Sequence, residues 1–201
     1  MKDKNSLRKW ETALLLSLCV ALCLGTWASA ASGRVSAQLV RLHVIAHSDA
    51  PEEQSVKLTV RDSVLEYLEP KLESAGSAVE AREIISKNLD GIKRAAENVS
   101  EGRPVSVALG EEYYPTRDYD GFSLPAGKYQ SLRVTLGSGE GHNWWCVVFP
   151  PLCLTAAETE AAFEELDDGT RAIISDDGGG VVFKFRLLEL WGELMELLGL
   201  D

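Results

Sequence analysis

Length, composition and charge already restrict the class of protein. The chain has 201 residues, 45% of them hydrophobic, and a formal net charge of −11 at pH 7. A chain of this length can form one domain with a sizeable buried core. Nucleic acid and anionic lipid headgroups repel an acidic domain, so the charge argues against both as partners.

The first thirty residues have the pattern of a secretory signal peptide. A basic start, sixteen uncharged and mostly apolar residues, and the small residues Ala28 and Ala30 predict cleavage between Ala30 and Ala31. The alternative is a retained anchor formed by residues 12–31, which is long enough to span a bilayer. Residues 1–30 hold four of the 20 basic and two of the 31 acidic residues, so the exported remainder carries a formal charge of −13.

The exported part begins with a predicted strand. Apolar and mixed positions alternate over Val35–Ala46, which indicates one wholly apolar face. The opposite, mixed face carries Arg41 and His43.

Two amphipathic helices are predicted next, the first with an apolar stripe formed by Val56, Val60, Val64, Leu68 and Leu72. The first starts after Asp49, the expected N-cap, with Glu52 completing a capping box, and ends near Glu69 because Pro70 lacks an N–H. The second runs from about Ala78 to Val99. Two helices joined by a short loop are expected to pack as an antiparallel hairpin.

From Arg103 onward the hydrophobic period changes to two, which predicts three strands separated by turns. The third strand begins at Trp144. An acidic stretch that suits a short helix, a strand over Val181–Arg186 and a terminal amphipathic helix then follow. This order predicts a single α+β domain over residues 31–201, with a mostly antiparallel sheet, a packed helical hairpin and a C-terminal amphipathic helix.

Cys146 and Cys153 enclose an eight-residue segment that contains Pro150 and Pro151. An exported location favours a disulfide between them, which would stabilise by on the order of 2–3 kcal/mol. Two buried free thiols are the alternative. Thiol catalysis is disfavoured, because His142 and Cys146 are four residues apart on a strand, beyond hydrogen-bond reach.

A metal site would require His43, His47 and His142 to converge, or the two cysteines to act as ligands. The six residues between Cys146 and Cys153 exceed the usual zinc spacing. We therefore expect ordinary strand and turn histidines, no metal and no cofactor. An exported cell-envelope hydrolase or metalloprotein is kept as the alternative function.

Trp144 and Trp145 are neighbours on a predicted strand, so their side chains point to opposite faces of the sheet. One of them is then either an exposed anchor for a protein partner or a residue covered by the terminal helix. The residues alone thus indicate an exported, acidic α+β domain without an assembled catalytic set.

Three segments resemble the stage II sporulation protein R family of endospore-forming bacteria. They are VRLHVIAHSDAPEEQSVKLTVRDSVLEYL (Val40–Leu68), GFSLPAGKYQSLRVTLGSGEGHNWWCVVFPPLC (Gly121–Cys153) and VVFKFRLLEL (Val181–Leu190). His47 departs from the family pattern, which has asparagine there. The resemblance implies a signalling protein and no enzyme, made in the forespore and exported into the space between the forespore and mother-cell membranes.

The resemblance also implies a partner. Members of the family activate a membrane-embedded aspartic protease, which cleaves the sigma-E precursor and switches on mother-cell transcription. The candidate contacts are Trp144, Trp145, Arg41 and His43. We expect no catalytic residue, no small-molecule substrate and no nucleic acid.

Overall fold

The computed structural model describes residues 4–119, 122–151 and 166–174. In chain order the elements are α1 (Lys4–Ala37), β1 (Val40–Ile45), α2 (Pro51–Leu72), α3 (Ala78–Lys87), α4 (Leu89–Val99), β2 (Val105–Tyr114), β3 (Arg117–Tyr119), β4 (Phe122–Leu124), β5 (Gly127–Leu136), β6 (Asn143–Phe149) and α5 (Asp168–Ile174). The predicted strand Val181–Arg186 and the predicted terminal helix lie outside the described residues.

A four-stranded sheet in the order β2-β5-β1-β6 organises these elements. β5 pairs antiparallel with β2 and parallel with β1, and β6 pairs antiparallel with β1. β3 and β4 form a separate antiparallel hairpin. A parallel pair needs a long crossover connection, and α2, α3 and α4 lie in the segment between β1 and β5. The predicted α+β class with a mostly antiparallel sheet is confirmed.

Helices α2, α3 and α4 cover one face of the sheet, here called the inner face. β1 contributes Val40, Leu42 and Val44 to this face, and all three are fully buried. The apolar stripe predicted for the first helix packs on them. Its buried members are Val56, Val60, Val64, Leu68 and Leu72. Each aliphatic side chain removed from water stabilises the fold by about 1.5–3 kcal/mol, so this layer is the main source of stability.

The opposite face, here called the outer face, is covered in part by the end of α1, the β3–β4 hairpin and α5. Val35 of α1 is fully buried there, and the Ser32 hydroxyl donates to the carbonyl of Ala126 at 3.0 Å. The last turns of α1 therefore belong to the packing of the domain. Residues Arg8–Ala37 are also long and apolar enough to cross a membrane, a property shared by signal sequences and anchors.

The strand predicted over Val35–Ala46 is shorter than expected. β1 begins at Val40, because α1 continues to Ala37 and buries its final turn against the sheet. The predicted alternation holds within β1, since Arg41 lies on the outer face between two inner-face residues.

The prediction that Asp49 caps α2 is wrong. The N-cap is Ala50, which makes no side-chain cap hydrogen bond, and Pro51 opens the helix. The Asp49 carboxylate instead accepts the backbone N–H of His142 at 2.7 Å and contacts the imidazole Nδ1 of the same residue. A contact 93 residues away along the chain has thus replaced a local one.

Two predicted helix boundaries also differ. Pro70 lies inside α2, which continues to Leu72, because a proline near the last turn removes one hydrogen bond while Leu72 remains buried. The helix predicted over Ala78–Val99 is divided into α3 and α4 at Asn88. The Asn88 side chain donates to the carbonyl of Ile84 at 2.8 Å, a bond that competes with continued helix.

Candidate functional site

Strands β1 and β6 bring three of the four predicted contact residues together. Arg41 and His43 lie on the outer face of β1, and the register places His43 opposite Trp145 of β6. The His43 and Trp145 rings stack with centroids 3.8 Å apart and an interplanar angle of 16°. Trp145 is half-buried, so part of its ring remains accessible beside a buried histidine.

Trp144 lies on the other side of the sheet, as predicted from strand geometry. It packs against the inner-face core, and the Arg61 guanidinium of α2 sits 4.4 Å from its ring centroid. Its indole N–H is buried and has no hydrogen-bond partner among the described residues. Trp144 and Trp145 therefore belong to two different surfaces, and both are half-buried.

Arg41 is fully buried in a cage of tyrosine rings. Its guanidinium carbon lies 4.1 Å from the ring centroid of Tyr114, 5.0 Å from that of Tyr129 and 5.9 Å from that of Tyr119. Nη2 donates to the Tyr119 hydroxyl at 2.5 Å. Nε and Nη1 have no partner in the part of the chain that the structure describes. Cation–π attraction, about 2 kcal/mol when desolvated, offsets only part of the cost of burying this charge.

The cage also changes the acidity of its tyrosines. Burial raises the pKa of Tyr114, Tyr119 and Tyr129 above the ordinary tyrosine value, because it disfavours the phenolate. The positive charge of Arg41 opposes this effect at all three. The hydroxyl groups therefore remain protonated and serve as hydrogen-bonding groups at neutral pH.

A polar network surrounds His43. Its Nε2 contacts the Asn143 amide oxygen at 2.9 Å, and its Nδ1 lies 3.3 Å from the Glu112 carboxylate. Glu112 also pairs with Arg133 at 2.9 Å and accepts a hydrogen bond from Ser131. Its carboxylate therefore joins β1, β2 and β5 at the centre of the outer face.

The Ser131 hydroxyl is not paired with a histidine. It contacts Glu112 and, at 2.6 Å, the Tyr114 hydroxyl, whereas both ring nitrogens of His43 have other partners. The described network therefore lacks the Ser–His pair of a base-activated nucleophile, and its hydrogen bonds orient the side chains.

The three histidines occupy separate places. The Nδ1 atom of His47 accepts the backbone N–H of Ser138 at 3.1 Å, and His142 is paired with Asp49. Over residues 4–119, 122–151 and 166–174, no three His, Cys, Asp or Glu side chains are arranged to hold a metal ion.

Cys146 is buried on β6 and is not among the free cysteines of the described residues, Cys19 and Cys23. Its predicted partner, Cys153, lies outside the described residues, and their pairing stays a prediction. The predicted cleavage residues, Ala30 and Ala31, lie within α1, about one turn before Val35 enters the core.

Sequence reasoning missed the tyrosine cage and the role of Glu112. Tyr114 and Glu112 share the outer face of β2, and Tyr129 and Ser131 share that of β5. Alternation with a period of two in EEYY (Glu111–Tyr114) and KYQS (Lys128–Ser131) could have assigned these residues to one face of each strand. The sequence has no signal that β2 and β5 pair in the register that brings the faces together.

Comparison with known proteins identifies the family. A family model described as stage II sporulation protein R matches residues 36–159. Stage II sporulation protein R of Bacillus subtilis (strain 168) is 36% identical over 135 residues, which cover 65% of this chain and 60% of that relative. No solved structure matches. The chain belongs to the stage II sporulation protein R family and has a sporulation-related role.

Proposed function

We propose that this chain is an exported signalling protein of sporulation that activates a membrane-embedded aspartic protease, which then processes the sigma-E precursor. The observation that carries the proposal is the family match, which includes every strand of the four-stranded sheet. The role is one of binding and activation, without a catalytic residue, a cofactor or a small-molecule substrate.

The outer face supplies the proposed contact surface. We define the Trp145 patch as Trp145, Arg117 and Arg133, supported from beneath by the buried His43 and Arg41. The Arg117 guanidinium carbon lies 5.8 Å from the Trp145 ring centroid, and the Arg133 side chain is about half exposed. A partly exposed tryptophan supported from beneath by a buried ring has the chemistry of an interface anchor.

The location and the disulfide are part of the proposal. Helix α1 directs the chain across the forespore membrane, either as a signal peptide cleaved between Ala30 and Ala31 or as a retained anchor formed by residues 12–31. A bond between Cys146 and Cys153 would brace the end of β6, the strand that carries Trp145.

A reconstitution tests the function. The protease and the sigma-E precursor are co-expressed with or without this chain, and precursor cleavage is followed by immunoblot. We expect cleavage only when the chain is present. No stimulation by a chain that is folded and exported would contradict the proposal.

The two tryptophans provide a matched pair for locating the contact. Trp145→Ala should lower activation at least tenfold, because interface anchors contribute about 2 kcal/mol or more. Trp144→Ala removes a side chain of similar burial from the inner face and should leave activation within a few-fold of wild type. Thermal unfolding of both variants provides the folding control. Equal activity of the folded variants would remove Trp145 from the contact surface.

A further inference from the structure

β2 forms one edge of the four-stranded sheet, and among the described strands it pairs with β5 alone. The ladder includes all ten residues of β2, from the pair Val105–Leu136 to the pair Tyr114–Gly127, without a shift in register. An edge strand presents a row of backbone N–H and C=O groups that have no partner in the sheet, and such a row is a template for another strand.

The hydrogen-bond pattern identifies which groups point outward. Gly137 donates its N–H to the carbonyl of Pro104 at 2.9 Å, so the pair just beyond the ladder is a hydrogen-bonded pair. Hydrogen-bonded and non-hydrogen-bonded pairs alternate along antiparallel strands. The backbone groups of Val107, Leu109 and Glu111 therefore point away from β5.

β2 lacks several of the features that usually block an edge strand. Its sequence, VSVALGEEYY, contains no lysine and no proline, the ladder has no bulge, and ten residues is long for an edge.

The charges of β2 indicate which partner segment fits. Glu112 is engaged by Arg133, His43 and Ser131. Glu111 is exposed and has no ion-pair partner within the described ranges. Because the whole chain carries a formal charge of −11, a basic segment is attracted to this edge and an acidic one is repelled.

We infer that the β2 edge binds an extended segment of a protein partner, which adds a strand to the sheet and places a lysine or arginine beside Glu111. Main-chain hydrogen bonds to Val107, Leu109 and Glu111 supply affinity, and the basic residue supplies specificity. The inference rests on the proposed function for the identity of the partner, the exported part of the aspartic protease.

Amide hydrogen exchange, measured by NMR on the full chain in detergent, tests directly whether the β2 edge is open in the chain alone and covered when the protease binds. In the chain alone, the amides of Val107, Leu109 and Glu111 should exchange rapidly, and added solubilised protease should slow them at least tenfold. The amides of Ser106 and Ala108, which face β5, should be slow in both samples and are the control within the same strand. Slow exchange of the outward amides in the chain alone would overturn the inference, because the chain itself or a second copy would then occupy the edge.

Substitutions at Glu111 test the same edge by activity. Glu111→Pro removes one outward N–H and leaves the hydrogen bonds to β5 intact, a substitution that edge strands accept. Glu111→Ala keeps the N–H and removes the charge. We expect protease activation to fall at least tenfold for Glu111→Pro and a few-fold for Glu111→Ala, with thermal midpoints close to that of wild type.

The outcomes separate the two proposals. A wild-type chain that does not activate the protease contradicts the proposed function, and with it the partner named for the edge. A wild-type chain that activates the protease, together with a folded Glu111→Pro variant that activates it equally, overturns the edge inference alone. If Glu111→Pro fails to fold, the exchange experiment decides.

Discussion

The two faces of the central sheet are built from the same strands but from different chemistry. On the inner face, β1 presents Val40, Leu42 and Val44 to three helices. On the outer face, the same strand presents Arg41 and His43 to tyrosines, a tryptophan and a glutamate. Five consecutive residues, Val40–Val44, thus serve an aliphatic layer and a buried polar network.

The contrast between the two faces indicates that stability and the proposed partner binding depend on different residues. Inner-face burial stabilises with few directional requirements, because the apolar effect depends mainly on area. The outer face keeps two guanidinium nitrogens of Arg41 without a partner among the described residues. An unsatisfied buried polar group costs about 1–3 kcal/mol. We therefore assign stability chiefly to the inner face, and we propose that partner binding uses the outer face and the β2 edge.

The largest expected effect comes from breaking the inner face. Leu68 is fully buried on α2, and Leu68→Ala should lower the free energy of unfolding by about 3 kcal/mol through lost burial and a residual cavity. Leu58→Ala, on the same helix but 36% exposed, should cost about 0.5 kcal/mol or less. Urea denaturation measures both. Similar losses for the two variants would contradict the assignment of stability to this layer.

Replacing Arg41, the buried cation of the outer face, should change the free energy of unfolding by a smaller amount and in the opposite direction. Arg41→Met keeps much of the volume and removes the desolvated charge, so we expect the free energy of unfolding to rise by about 1 kcal/mol. Tyr119→Phe removes the hydrogen bond to Arg41 and keeps the charge, so it should destabilise by about 1–3 kcal/mol. A loss of more than about 2 kcal/mol in Arg41→Met would show that the cage is a net source of stability.

The smallest effect concerns alkaline pH. The pKa of Tyr129 is raised in the folded chain by burial, so above the unfolded value of about 10 the unfolded chain loses a proton that the folded chain keeps. The contribution of Tyr129 to the free energy of unfolding is fully present below that pH. It is lost as pH rises through the folded pKa, by at most about 1.4 kcal/mol per pH unit. Thermal unfolding at pH 8–11 should show a weaker alkaline loss in Tyr129→Phe than in wild type. Identical slopes would contradict the assignment.

Local patterns were sufficient for the features that depend on one element at a time. The period of α2 identified its five buried apolar residues, since 3.6 residues per turn places them on one stripe. Strand alternation separated Trp144 from Trp145 and Arg41 from its neighbours. These predictions needed only the geometry of a single helix or strand.

The local rules failed where a distant residue supplied a stronger contact. Asp49 satisfies every sequence criterion for an N-cap, yet it bonds to His142. Pro70 should end α2, yet burial of Leu72 extends the helix by another two residues. Val35 reads as a strand residue, yet it is the last buried apolar side chain of α1.

The sequence by itself determined the apolar N-terminal segment, the acidic α+β class, the apolar stripes and the family resemblance, because each is encoded in composition, short-range period or contiguous motif. Only the tertiary structure decided that β1 lies between β5 and β6, that Tyr114 and Tyr129 enclose Arg41, and that β2 is at the edge of the described strands. Strand order and register depend on contacts between segments far apart in the chain, and no local pattern specifies those partners.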